Sequence, residues 1–144
     1  MALQGKLRIV SMPGGGAVGF LGSKEDYGII ECAYEFNQSI DDTGKPTSRP
    51  RGGTITFVTP TFEDGDPFFY NWMFNKTETH NGTFIFYVYS KKNRRCVKHV
   101  NFTNAYCVSL KEYFNDNDSK LMYTTITISA ETIIISGATF NNEW

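Results

Sequence analysis

The chain has 144 residues, 14 lysines and arginines against 15 aspartates and glutamates, and an aromatic content of 15%. A net charge of −1 lacks the basic excess of a general nucleic-acid binder or a membrane-surface protein. A chain this long folds as one domain that buries roughly 68–70% of its unfolded surface, so no metal or disulfide staple is required.

The N-terminal "MALQGKLRIVSMPGGG" carries neither the long apolar core of a signal peptide nor a membrane-spanning run, which predicts folding in a reducing cytoplasm. "KLRIV" reads as the first strand. Residues 11–28, "SMPGGGAVGFLGSKEDYG", form a glycine-rich loop whose glycines lack the order of a phosphate-cradling motif. "GIIECAYEF" alternates Ile30, Cys32, Tyr34 and Phe36 against Glu31, Ala33 and Glu35, the period of a strand with one wet side. A polar arm at about 37–52 follows, longer than a hairpin needs, in which Gly44-Lys45-Pro46 supplies a turn and Gly52-Gly53 bends the chain back. Arg49 and Arg51 are expected to pair with Asp41, Asp42 or a neighbour's acids.

After the strand "GTITFVT", the segment "EDGDPFFYNWMFNKT" predicts one short helix at about 66–75. Asp66 is its expected N-cap, Pro67 its first residue, and Phe68, Trp72 and Met73 its core side. Further strands are "GTFIFYVY", "CVKHVNFT", "AYCVSLKEY", "LMYTTITIS" and "ETIIIS", which brings the count to eight and suggests a closed or nearly closed β-barrel with the helix packed on its wall. Between two of them, "KKNRRC" groups Lys91, Lys92, Arg94 and Arg95 in a predicted turn, a solvated loop or a protein-contact site.

Catalytic signals are absent. His80 lies in the predicted turn "TETHNGT", and Cys96 and His99, three residues apart on a strand, are expected to face opposite sides, which argues against a zinc site. Asp41 with Asp42 and Asp116 with Asp118 read as solvated turn acids. Cys32, Cys96 and Cys107 have neither the even count nor the spacing of a disulfide framework and read as buried free thiols. The chain is therefore expected not to be an enzyme and to hold no metal or cofactor.

The stretch "ECAYEFNQSIDDTGKPTSRPRGGTITF" resembles the strand, arm and strand of the type VI secretion tube protein family (Hcp, also TssD), in a divergent branch. Tyr34, Phe36, Gln38, Asp41, Gly44, Pro46, Ser48 and Arg51-Gly52-Gly53 follow the family pattern, with Lys45 where arginine is frequent. "FYNWMFN" is similar to its short helix, "FTNAYCVSLKEYF" to a strand pair, and "TITISAETIIISG" with the final "NEW" to its C-terminal strands. The glycine-rich residues 11–28 depart from it, since a compact hairpin is usual there.

The resemblance implies a single-domain mainly-β barrel without catalysis, assembled as a homohexameric ring whose copies stack into the inner tube of a contractile injection machine. It implies sheath, spike and baseplate partners, effectors in the lumen, assembly in the cytoplasm and then secretion, and neither nucleic-acid binding nor membrane insertion. The arm residues Asp41, Asp42, Lys45, Pro46, Arg49 and Arg51 are the expected contacts to an adjacent subunit or ring. Trp144 is a second docking point, on its own barrel or on a neighbour. The alternatives are a monomeric ligand-binding barrel, with Phe84, Phe86 and Tyr106 as lining, and a specialised cargo variant of the tube protein.

Overall fold

A computed structural model of the chain describes residues 3–10, 26–62, 66–89, 93–115 and 122–144. Among the described residues the period-two alternation becomes eight strands of one antiparallel sheet, with one helix between the fourth and fifth strands. They are β1 (Leu3–Val10), β2 (Asp26–Ile29), β3 (Glu31–Tyr34), β4 (Thr54–Pro60), α1 (Phe68–Phe74), β5 (His80–Tyr89), β6 (Arg94–Tyr113), β7 (Tyr123–Ile135) and β8 (Ala138–Asn141). The strand order is β2–β1–β5–β6–β7–β4–β3, with β8 beside β7.

The sheet curls until its two ends meet. "GIIECAYEF" is not one strand: the chain bends at Ile30, so that β2 pairs with β1 at one end of the sheet and β3 with β4 at the other. The Thr59 hydroxyl donates to the Gly28 carbonyl at 2.7 Å and the Ile30 N–H to the Val58 carbonyl at 2.8 Å, which ties β2 to β4. A strand that changes partner rotates its faces, and this is why Ile30 lies half-exposed while Tyr27 is buried.

Leu7, Ile55, Phe57, Phe84, Val100, Ile126 and Ile128 point inward and are fully buried. In "LMYTTITIS" the side chains of Thr124, Ile126 and Ile128 are buried while Met122 is exposed, and the Thr124 hydroxyl lies 3.0 Å from that of Thr61. Two predicted pairs of strands are single strands. β6 runs on through Asn104, which takes the left-handed region at φ 51°, and its N–H donates to the Asn81 side chain at 2.8 Å while its amide donates to Glu131 at 2.8 Å. β7 passes without a break through Ala130, paired with Ala105. Ser136 and Gly137, both at positive φ, then form the tight turn into β8.

The helix spans seven residues rather than the predicted ten. Pro67 flanks it instead of opening it, and Asp66 accepts the Phe68 N–H at 3.3 Å and the Tyr27 hydroxyl at 3.4 Å. Phe68, Phe69 and Trp72 are buried, and the Trp72 indole N–H donates to the Ala105 carbonyl of β6 at 3.1 Å. The cysteines do not share one environment: Cys107 is buried, Cys32 is partly buried and Cys96 is exposed, because the β6 end that carries Cys96 lies outside the core. Of the glycine-rich segment, residues 26–28 belong to β2 and residues 11–25 lie outside the described residues.

Candidate functional site

Between β3 and β4 the arm leaves the barrel as a finger that is bonded mainly to itself. Asn37 and Arg51 close its root with paired backbone hydrogen bonds of 2.9 and 2.6 Å, and the Thr47 N–H to the Ser39 carbonyl (2.8 Å) and the Asp41 N–H to the Lys45 carbonyl (2.9 Å) continue toward the tip. Gly44, at φ 86°, makes the reversal that a side chain would strain. Ser48 adds a rung by accepting the Ser39 N–H at 2.9 Å.

Asp41 organises the tip. One of its carboxylate oxygens accepts the Thr43 hydroxyl at 2.7 Å, the Thr43 N–H at 2.9 Å and the Lys45 N–H at 3.0 Å. The Thr43 hydroxyl first, then these backbone donors, hold the Asp41 carboxyl below the usual aspartate value. A depressed carboxylate contributes order that is present above its unfolded value and lost as pH falls through its folded one. Amide exchange at Thr43 and Lys45 is therefore expected to accelerate, relative to core amides, on acidification below the ordinary carboxylate range; exchange at both that tracks the core amides throughout would contradict this role.

The arginines do not pair with the arm's own acids. Asp41 is taken up by its turn, and Arg49 reaches across to an ion pair with Glu143 near the C-terminus. Arg51 instead lines an open cleft of about 730 Å³ with Tyr34, Glu35, Asn37 and Thr54. Pro46 bridges to Ile40, and Asp42 and Lys45 are exposed near the tip. Ile40 itself, with 65% of its surface exposed, was missed by reading for charge, although it is the single large apolar side chain in residues 37–51.

The C-terminal residues strap the root of the arm. The Asn142 amide donates to the Gly52 carbonyl at 3.2 Å and to the Ala130 carbonyl at 2.9 Å, while the Ala130 N–H donates to the Gly53 carbonyl at 2.7 Å. Trp144 lies with its ring 5.4 Å from that of Tyr106 on its own barrel, yet 62% of it remains exposed. Beside the root, Phe36, Pro50, Ile133, Ile135, Ala138 and Phe140 line an apolar groove of about 210 Å³. Gly53 sits at φ 88°, and a Cβ there would stand 2.2 Å from the Asn142 amide nitrogen and 2.8 Å from the Ala130 carbonyl oxygen. Gly53→Ala is expected to lower stability by about 1–3 kcal/mol in chemical denaturation, and an unchanged midpoint would show that the strap yields freely.

Of the predicted basic turn, Lys91 and Lys92 lie outside the described residues, whereas Arg94 and Arg95 already belong to strand β6. Both are exposed, and the Arg94 guanidinium lies 5.1 Å from the centre of the Tyr87 ring. His80 is in β5 rather than in a turn, packed between Phe68 and Trp72 with Nε2 2.8 Å from Glu78. Cys96 and His99 do not face opposite sides. The register slips between Phe86 and Tyr87, so Val97 bulges out and brings the Cys96 sulfur to 3.3 Å from His99 Nδ1. Among the described residues no group of three or more histidine, cysteine or acidic side chains is placed to hold a metal ion.

The chain is similar to known structures over most of its length. A search of curated protein sequences finds no match. Among solved structures, Hcp1 from Flavobacterium johnsoniae is similar with a TM-score of 0.75 and 27% identity over 96% of this chain and 99% of that one. A variant of Hcp1 from the E. coli EAEC 042 pathovar reaches 0.70 at 14% identity, covering 99% and 97% of the two chains. The secreted protein Hcp3 from Pseudomonas aeruginosa reaches 0.63 at 11% identity, covering 97% and 99%. The model of the hemolysin coregulated protein Hcp (TssD) family matches residues 1–144, and with the curled sheet, the short helix and the arm in place, the chain belongs to that family of type VI secretion proteins.

Proposed function

We propose that this chain is the structural subunit of the inner tube of a type VI secretion machine, closing into hexameric rings that stack through the arm and are expelled with effectors. The observation that carries this reading is the arm. Ordering some fifteen residues costs of order 1–2 kcal/mol of backbone entropy each, and residues 37–47 are all exposed and bury almost nothing on their own barrel. Internal hydrogen bonds keep the finger in shape without anchoring its tip, and the exposed Ile40 offers apolar surface for another copy to cover.

Heterologous contacts of this kind close into rings when the rotation permits. The tube reading assigns no catalytic step, and the chain's contribution is shape, stiffness and a lumen wall. Sheath, spike and baseplate proteins are the partners such a tube meets, with effectors inside. Export tests it: in a cell with a working contractile sheath the chain is expected in the medium, and in a cell lacking the sheath it is expected to stay inside. Equal release from both would refute the reading.

A further inference from the structure

Of the three cysteines, Cys32 and Cys107 are withdrawn from chemistry, because burial pushes both thiols up to about 11. Cys107 is also turned inward, its sulfur 3.8 Å from that of Met73. Cys96 differs from both in position and in company. It lies on the exposed end of β6, and the bulge at Val97 sets it beside His99, with the sulfur 3.3 Å from Nδ1 and 3.6 Å from Nε2 of the same ring.

A regular strand keeps residues three apart on opposite faces, so this pairing exists only because one extra residue is inserted. Cys96 stands opposite Tyr87 and His99 opposite Ile85, two outward neighbours on β5. The surrounding charge is mostly positive. Arg94 of β6 and Lys6 of β1 share this face, with the Arg94 guanidinium 5.1 Å and the Lys6 Nζ 6.0 Å from the centre of the Tyr87 ring, whereas Arg95 and Lys98 pair with Val88 and Phe86 on the alternate face. Asp26 of β2, beside β1, is engaged by Lys6 at 3.3 Å and by Arg8 at 2.9 Å.

We propose that Cys96 is a thiol–disulfide exchange site, with His99 as its base, that takes small anionic disulfides. An imidazole nitrogen of His99 accepts the thiol proton, and the Cys96 thiolate attacks one sulfur of the incoming disulfide. The incoming S–S bond breaks as the new bond from Cys96 forms, and the second half leaves as a thiolate. The disulfide is the only oxidant, so the step is balanced. Arg94 and Lys6 raise the local concentration of an anionic reagent at this face.

The test is the time course of exchange between the full chain and an aromatic dicarboxylate disulfide that releases a coloured thiolate, at neutral pH. One of the three thiols is expected to react in a fast phase and the other two only slowly or after unfolding. Cys96→Ser is expected to remove the fast phase. His99→Gln is expected to slow it about tenfold or more, since an unassisted thiol is only a few per cent ionised at neutral pH. Both positions are exposed, so circular dichroism should not change in either variant. A fast phase that survives Cys96→Ser, the absence of any fast phase, or wild-type speed in His99→Gln would each overturn the assignment.

Discussion

Trp72→Ala is expected to destabilise the fold by about 3–5 kcal/mol, a large share of the 5–15 kcal/mol typical of a whole domain. The indole is completely buried, ringed by Phe68, Phe69 and His80, and is the point where α1 is fastened to β6 through the Ala105 carbonyl. Removing it opens a large cavity and leaves that carbonyl without its donor. Trp72→Phe separates the two contributions: it keeps a ring in the site but not the N–H, and should lose only about 1–3 kcal/mol. Chemical denaturation of both variants measures this. Near-equal losses would mean that the hydrogen bond, not the packing, fastens the helix.

Ile40→Asp carries the second large effect, on assembly and not on folding. If the arm tip docks on another copy, the isoleucine goes from 65% exposed to covered, a burial worth about 2 kcal/mol per contact, and a carboxylate in its place forfeits that and adds a desolvation cost. The expected loss is at least roughly thirtyfold in the association constant of each contact, repeated at every subunit of a ring. The tip is held by backbone hydrogen bonds and by Asp41, so the subunit's melting temperature should stay where it was. Sedimentation of wild type and variant at matched concentrations reads the difference. Identical assembly would place the contact elsewhere on the arm, and a lowered melting temperature would give Ile40 an internal role.

The sequence carried the local part of the fold. Ile126 with Ile128 can be read as an inward pair from alternation alone, and Phe68 with Trp72 as one side of a helix from their spacing, because both patterns report the period of their own element. Properties set by distant strands were not legible. The bend at Ile30 exists because the sheet has to close, and "FTNAYCVSLKEY" stays one strand because Asn81 and Glu131, far away in sequence, satisfy the side chain and backbone of Asn104. Asp66 was seen as a cap, but Pro67 moved the helix start by a residue or two.

The same division holds for the candidate site. The reversal at Gly44 and the return at Gly52-Gly53 are written in local turn chemistry, and so is the reach of the arm. The partner of Arg49 is not: Glu143 lies 94 residues away and meets it only because β8 lays the C-terminus along the arm's root. Cys96 and His99 show the most about the limits of pattern reading. Strict alternation separates them, and a single bulged residue, fixed by how β6 registers against β5, puts them in contact.

The measurement that tests the tube assignment most directly is the mass of the purified chain by light scattering across a concentration series, with electron micrographs of the same peak. A ring of six copies with an open centre, stacking further as concentration rises, is the predicted result. A particle that remains a monomer at every concentration would contradict it, and would leave a family member whose barrel works alone.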